Sequence, residues 1–274
     1  MHMNTQAIAS NKEAELDALI NVPLDIAQDY SSYTDENRET WRQLFTRLEP
    51  VITQYAHPDV KKGIAKLGLS ADAVPHLPTI SQNLKNATGW QVYVCEGVLD
   101  IGILCAGYTK RYFPSTVWLR ALKDIDYTPL PDMVHEVVGH LGVLAGSQEY
   151  ADALHEFGML AKKFEYDEEI LSRMEAIHWF LFEFQLIEHE GKILADGPGL
   201  VSSLGEEPYS VESDKPRRHM LRDMTPEQVY RELMDARGYD ISEFQKDYFV
   251  IPDSKFLLDF VTKYLPELVV SEPS

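Results

Sequence analysis

Apolar residues recur at helical spacing through most of this chain. Trp41, Leu44, Leu48 and Ile52 return every three or four residues after Asp35, and Thr34 stands as an N-cap three residues before Asn37. Residues 58–67 read as a short helix closed by Gly68, and residues 79–87 as another that ends near Gly89. Residues 101–108 are apolar and small, and residues 148–164 are amphipathic; both predict helices. Pro131 suits the first turn of a helix that runs through Val138 and stops at Gly139. Residues 168–188 form the central predicted helix, apolar on every side in its middle and so expected to be buried all round. Residues 225–235 and 254–264 are late helices with Thr225 and Ser254 as caps, and Gly197-Pro198-Gly199 reads as a turn. Period-two alternation is rarer: residues 90–94 predict a strand, and residues 113–120 look extended.

The expected fold is therefore mainly α with a few short strands, in a single domain. Residues 1–32 are polar with scattered Ala, Leu and Ile and read as an N-terminal arm; residues 33–265 form the domain, and 266–274 a C-terminal tail. With 274 residues and 45% hydrophobic content, the chain can bury a sizeable core.

A net charge of −19 argues against a nucleic-acid partner, whose phosphates need clustered Lys and Arg, and against an anionic membrane surface. The two cysteines, Cys95 and Cys105, sit among apolar neighbours and fit neither a zinc pattern nor a disulfide framework. Residues 1–28 lack the apolar core of a signal peptide, and no run approaches the ~18 apolar residues of a spanning helix. A cytoplasmic, reducing location is expected.

Candidate chemistry lies in two segments. His135 and His140 are five residues apart in Met133-Val134-His135-Glu136-Val137-Val138-Gly139-His140, and Glu183 sits in the apolar run Trp179-Phe180-Leu181-Phe182-Glu183-Phe184. An ionised Glu in such surroundings is costly without a partner. Two His and one carboxylate are the ligand set of non-haem Fe(II) oxygenases. On a continuous α-helix a spacing of five would turn the second ring about 140° away. A helix that ends at Gly139 would let His140 turn back from the first loop position. An ordinary His pair, and a Glu183 paired with a distant cation, are the plain alternatives. A rival site uses the Glu-x-x-His spacing of di-iron carboxylate proteins, met here by Glu175 and His178. Arg120 is either a surface residue or, beside an iron site, a bidentate clamp for a substrate carboxylate. Ser202 and Ser203 are either loop serines or donors to a metal-bound histidine.

Taken together, these residues resemble the pterin-dependent aromatic amino acid hydroxylases, and most closely the bacterial phenylalanine 4-monooxygenases. The resemblance runs from about Tyr33 to Leu258 in ordered blocks: Tyr33-Thr34-Asp35-Glu36 with Trp41; Ala87-Thr88-Gly89-Trp90; Arg111-Tyr112-Phe113-Pro114 through Arg120; Pro131-Asp132 with His135 and Gly139-His140; Trp179 with Glu183-Phe184; Gly199 through Ser203 with Gly205-Glu206; and Tyr248-Phe249-Val250.

The resemblance implies the catalytic fold of that family and a monooxygenase that uses O2 and a tetrahydropterin to hydroxylate the ring of L-phenylalanine. His135, His140 and Glu183 would hold Fe(II). Arg120 would bind the substrate carboxylate, with Thr128, Ser202 and Ser203 nearby. Pro131, Trp179 and Phe184 would line the ring pocket. Glu136 would face the pterin, and Asp132 would support the site. Trp179 and Val250 both resemble the phenylalanine enzymes.

Some blocks depart from the family. The stretch from Leu99 to Tyr108 lacks the usual aromatic platform for the pterin, leaving Tyr108 as a substitute. His178 stands where Tyr or Phe is usual, as a contact in the pterin cleft, a base, or a core histidine; Leu130 replaces a Glu, and Leu141-Gly142-Val143 follows His140. These departures keep two alternatives open: the same iron site acting on another aromatic substrate with altered or no pterin use, and a catalytically silent metal-binding protein. The regulatory N-terminal domain and C-terminal tetramer helix of the animal enzymes have no counterpart in these blocks, so a monomer is expected, with a dimer as the alternative.

Overall fold

The computed structural model describes residues 5–97, 99–125, 130–240 and 243–271. Its long helix Asp35–Tyr55 starts at the expected cap: Thr34 accepts from the Asn37 backbone while the Asn37 side chain takes the Thr34 N–H. One face of this helix buries Trp41, Leu44, Leu48 and Ile52. Each such side chain contributes about 1.5–3 kcal/mol. Helices Pro58–Leu67 and Leu77–Thr88 end at Gly68 and Gly89, both left-handed, as their sequences predict. Helices Ile101–Thr109, Gln148–Lys163 and Pro226–Asp235 likewise occupy their expected places.

The strands are short. β1 (Gln91–Val94) and β2 (Tyr112–Ser115) make a parallel pair. β3 (Leu186–His189), β4 (Lys192–Ala195), β5 (Arg217–Met220) and β6 (Asp247–Ile251) form a sheet in the order β4-β3-β6-β5. In it, β3 and β4 are antiparallel, and β6 runs parallel to both β3 and β5. Among the described residues no helix is long and apolar enough to cross a membrane.

The structure corrects several expectations. The N-terminal arm is helical over much of its described part. Thr5–Ile20 is a helix with Leu16 fully buried, held to the body by ion pairs of Lys12 with Asp100, Asp17 with Lys110, and Glu13 with Lys162. In the C-terminal segment Val269 is buried, and its carbonyl accepts from Arg173. The extended segment after Phe113 is strand only to Ser115. Asp253, rather than Ser254, caps the helix Ser254–Asp259. Gly197 precedes a helical turn, Pro198–Val201.

Two further differences shape the site. The central helix stops as an α-helix at His178, continues as a π-helical turn, Trp179–Glu183, and gives way to β3 well before residue 188. The helix that carries His135 does not stop at Gly139. It passes through a π-helical segment, His135–His140, and runs on as the α-helix Leu141–Gly146.

Candidate metal centre

The π-helical segment resolves the spacing of five. Its backbone bonds reach from residue i to i+5, as in Leu141 N–H to Glu136 C=O, so residues five apart lie above one another. His135 and His140 therefore share a face, with ring centroids 4.9 Å apart. Glu183 comes from the second π-helical turn, where Phe184 N–H bonds Trp179 C=O at 3.0 Å. The two π-helical segments bring His135, His140 and Glu183 together, and one donor atom from each lies within 4.8 Å of the others. Gly139 permits the close approach of the neighbouring turn: a Cβ there would lie 2.6 Å from the Pro198 carbonyl oxygen.

Each donor is prepared by its neighbours. Ser202 Oγ donates to the Pro198 carbonyl at 3.0 Å and lies 2.9 Å from His135 Nδ1. With its proton committed, the hydroxyl accepts from Nδ1–H, which leaves the lone pair on His135 Nε2. His140 Nε2 lies 3.1 Å from Glu183 Oε1. Metal–ligand bonds of about 2.0–2.2 Å put adjacent ligand atoms roughly 3 Å apart, so this pair is spaced as two neighbouring ligands of one ion. Burial pushes His135 down to about 4 and His140 down to about 3, so both rings are neutral ligands at neutral pH. Glu183 is pushed up by burial, partly offset by His178 and His135. A divalent cation between these groups would answer the buried carboxylate and fit the donor set.

Asp132 anchors the segment from below. It is fully buried, and its carboxylate accepts from Arg120 Nε (2.7 Å) and Nη2 (3.0 Å) and from three backbone N–H groups, of Arg120, Val134 and His135. One side chain thus caps the start of the His135 turn and fixes the guanidinium, which also reaches the Ile125 carbonyl through Nη1. Arg120 is accordingly a held group rather than a surface arginine.

The other predicted residues fall out differently. Trp179 is half-buried between Tyr239 (4.0 Å, 4°) and Phe184 (4.5 Å, 34°), and its Nε1–H donates to Gln245 Oε1. Gln245 N–H and the Tyr248 hydroxyl both donate to Glu206 Oε1, extending that support. Phe184 also covers Gly199. Pro131 and Glu136 are half-buried, and burial together with the Glu183 and Asp132 carboxylates pushes the Glu136 carboxyl up. Ser203 Oγ accepts from the Glu206 N–H at 3.1 Å, at the start of the helix Glu206–Glu212. Thr128 lies outside the described residues.

Tyr108 is fully buried, so it presents no face for a bound pterin to stack on. His178 is buried beside it, its Nε2 3.0 Å from the Tyr108 hydroxyl. Glu175 is exposed on the same helix, so the rival Glu175–His178 pair does not converge. Sequence reasoning missed Tyr239, Gln245 and Phe113, whose ring packs 4.6 Å from that of His140. Phe113 carried a signal in its Arg-Tyr-Phe-Pro block; the other two carried none.

A family model for the biopterin-dependent aromatic amino acid hydroxylases matches residues 26–268. The chain belongs to that family. Among fellow members, a phenylalanine-4-hydroxylase of Mesorhizobium japonicum is 34% identical over 237 residues, covering 85% of this chain and 81% of that one. Among hydroxylases of known structure, the phenylalanine hydroxylase of Chromobacterium violaceum with bound iron(III) and 7,8-dihydrobiopterin superposes with a TM-score of 0.80 at 27% identity, covering 98% and 92% of the two chains. The phenylalanine hydroxylase of Legionella pneumophila gives 0.78 at 30% identity over 86% of this chain and 94% of that one. The mainly helical hydroxylase fold expected from the sequence is the one observed.

Proposed function

We propose that this hydroxylase is an iron- and tetrahydropterin-dependent monooxygenase that converts L-phenylalanine to tyrosine. The convergence of His135, His140 and Glu183 from two π-helical turns carries the reading. It agrees with the named activity of the bacterial relatives and with the iron and dihydrobiopterin bound by the Chromobacterium violaceum enzyme. Fe(II) held by these three would keep coordination positions open for O2, with the pterin as reductant; one oxygen atom enters the ring and the other goes to the pterin.

The chain's own residues bind and orient. Arg120, clamped by Asp132, receives the substrate carboxylate, with Thr128 and Ser203 as further substrate-binding residues. Trp179, Phe184 and Pro131 bound the ring pocket and exclude water from it. Ser202 keeps His135 in the tautomer that ligates, and Glu136 faces the pterin. The catalytic unit is residues 26–268, acting as a monomer; the buried free thiols of Cys95 and Cys105 suit a reducing cytoplasm.

A second reading keeps the iron and changes the co-substrate or ring. The one aromatic residue between Leu99 and Tyr108 is Tyr108 itself, and it lies in the core, so that segment offers no stacking platform. O2 uptake by Fe(II)-loaded protein with a tetrahydropterin, with and without L-phenylalanine, separates the readings. Tyrosine formed in step with O2 supports the first. Uptake without tyrosine supports the second, and no uptake by iron-loaded protein overturns the pterin-dependent reading.

Ser202→Ala tests the support of His135 directly. The expected result is a 10–100-fold loss of metal affinity, the usual effect of removing a hydrogen-bond partner from a ligating His. Titration of metal-free protein with Co(II) measures it; unchanged affinity would remove Ser202 from this role.

A further inference from the structure

Beside Glu183 lies a pair of polar groups that the proposed reaction does not use. Tyr108 and His178 are 70 residues apart, both buried, and joined by a 3.0 Å contact between the phenol oxygen and Nε2. Among the described residues, Nε2 is the one hydrogen-bonding partner of that hydroxyl. A neutral phenol in a dry core must donate its proton or leave it unmet. The Tyr108 O–H therefore donates to Nε2, and the histidine proton sits on Nδ1. Nδ1 faces Glu183 Oε1 across 3.9 Å, longer than a hydrogen bond but close enough for electrostatic attraction.

Packing holds this arrangement in place. The His178 ring is stacked against Tyr108 (17°) and Phe182 (23°), with Phe157 tilted beside it at 42°. Tyr108 is stacked in turn on Phe113 at 10°, and Phe113 lies against the His140 ring. Helix Gln148–Lys163 presses on the pair through Gly158, where a Cβ would stand 2.6 Å from that of Tyr108. His178 is also the residue five before Glu183, so the π-helical turn that delivers the carboxylate sets His178 beside it.

We infer that Tyr108 and His178 form a buried relay in which Tyr108 fixes the His178 tautomer and His178 Nδ1–H orients the Glu183 carboxylate toward the metal. Both would act as positioning residues, through the carboxylate rather than on substrate. The inference rests on the metal-site reading above and adds a third partner to it, on the carboxylate side, matching Ser202 on the His135 side. It also gives the departure at position 178 a purpose. A Phe there could not orient the carboxylate, and a His with no partner at Nε2 could hold either tautomer.

The test is Co(II) titration of metal-free wild type, His178→Phe, His178→Asn and Tyr108→Phe, read as affinity and as the visible d–d spectrum, with the melting temperature of each metal-free protein as the control for folding. Wild type should bind one Co(II). His178→Phe should bind at least about 10-fold more weakly with an altered spectrum. Tyr108→Phe, the milder change, should shift the spectrum in the same direction with a smaller affinity loss. His178→Asn, whose amide nitrogen can take the place of Nδ1, should restore most of the affinity. If wild type binds and Tyr108→Phe and His178→Phe share its affinity and spectrum, the relay is overturned while the metal site stands. If His178→Phe weakens binding and Asn fails to rescue it in a folded protein, the His178 packing rather than its N–H is responsible, and the relay is likewise overturned. A wild type that binds no Co(II) or Fe(II) overturns the metal reading itself.

Discussion

Glu183→Gln is expected to lose metal binding by more than 100-fold and turnover with it, while the metal-free protein keeps or gains stability. The two halves of this result have one cause. The carboxylate is half-buried beside neutral imidazoles, and desolvation pushes its pKa up. Taking the charge away in an isosteric amide removes that desolvation penalty from the metal-free fold. The same change removes the one anionic ligand of the three. Loss of an outer partner typically costs a metal site 10–100-fold, and a ligand itself should cost more than about 100-fold.

Thermal unfolding with and without Fe(II) checks both halves at once. A ligand present at 100 times its Kd stabilises the fold by about 2.7 kcal/mol, so wild type should melt higher with metal and the variant should not. His135→Ala and His140→Ala should lose the metal-dependent increment too, without the gain in the metal-free state. A Glu183→Gln protein that binds Fe(II) and turns over like wild type would remove Glu183 from the ligand set.

Much of this arrangement is legible in the chain because local chemistry and global fold agree there. Thr34, Gly68, Gly89 and Thr225 mark helix ends that the structure places where their capping chemistry puts them. The ligand residues stand out for the same reason: a carboxylate in an apolar run has few stable explanations. What was not legible is how five-residue spacings become contacts. The sequence of residues 133–146 has continuous helical propensity with a Gly in it, and Gly139 reads more naturally as a terminus than as a place where Pro198 comes close. The i to i+5 bonding is decided by packing against the turn Pro198–Val201 and by Ser202, both some sixty residues away in sequence. The early end of the central helix has a similar origin: the Tyr150 hydroxyl donates to the Phe182 carbonyl at 2.8 Å, and β3 then pairs with β6 from far along the chain. Tyr239 and Gln245 were missed because an exposed-looking loop gives no periodicity, and only the fold lays them on Trp179.

Asp132→Ala should be the most damaging single change away from the metal ligands, and it should fail in two ways at once. Removing one partner of a buried ion pair costs about 3–5 kcal/mol, because the other charge stays buried and unpaired. Arg120 is that charge, 11% exposed and held through Nε and Nη2. The Val134 and His135 N–H groups would lose their acceptor as well, at the start of the π-helical segment that carries two ligands. Urea denaturation should show the stability loss, and steady-state kinetics should show a raised KM for the amino acid as Arg120 loses its orientation. Asp132→Asn separates the two effects. Its amide oxygen still accepts from the two N–H groups, so stability should recover in part, while KM stays high because the guanidinium no longer meets a carboxylate. The double variant Arg120→Ala/Asp132→Ala should be less unstable than the sum of the single changes, since no orphaned charge remains, yet still below wild type by the three lost backbone hydrogen bonds. If the losses simply add, Arg120 and Asp132 act independently and the bidentate contact does not hold the clamp; if KM is unchanged in Asp132→Asn, Arg120 does not depend on Asp132 to meet the substrate.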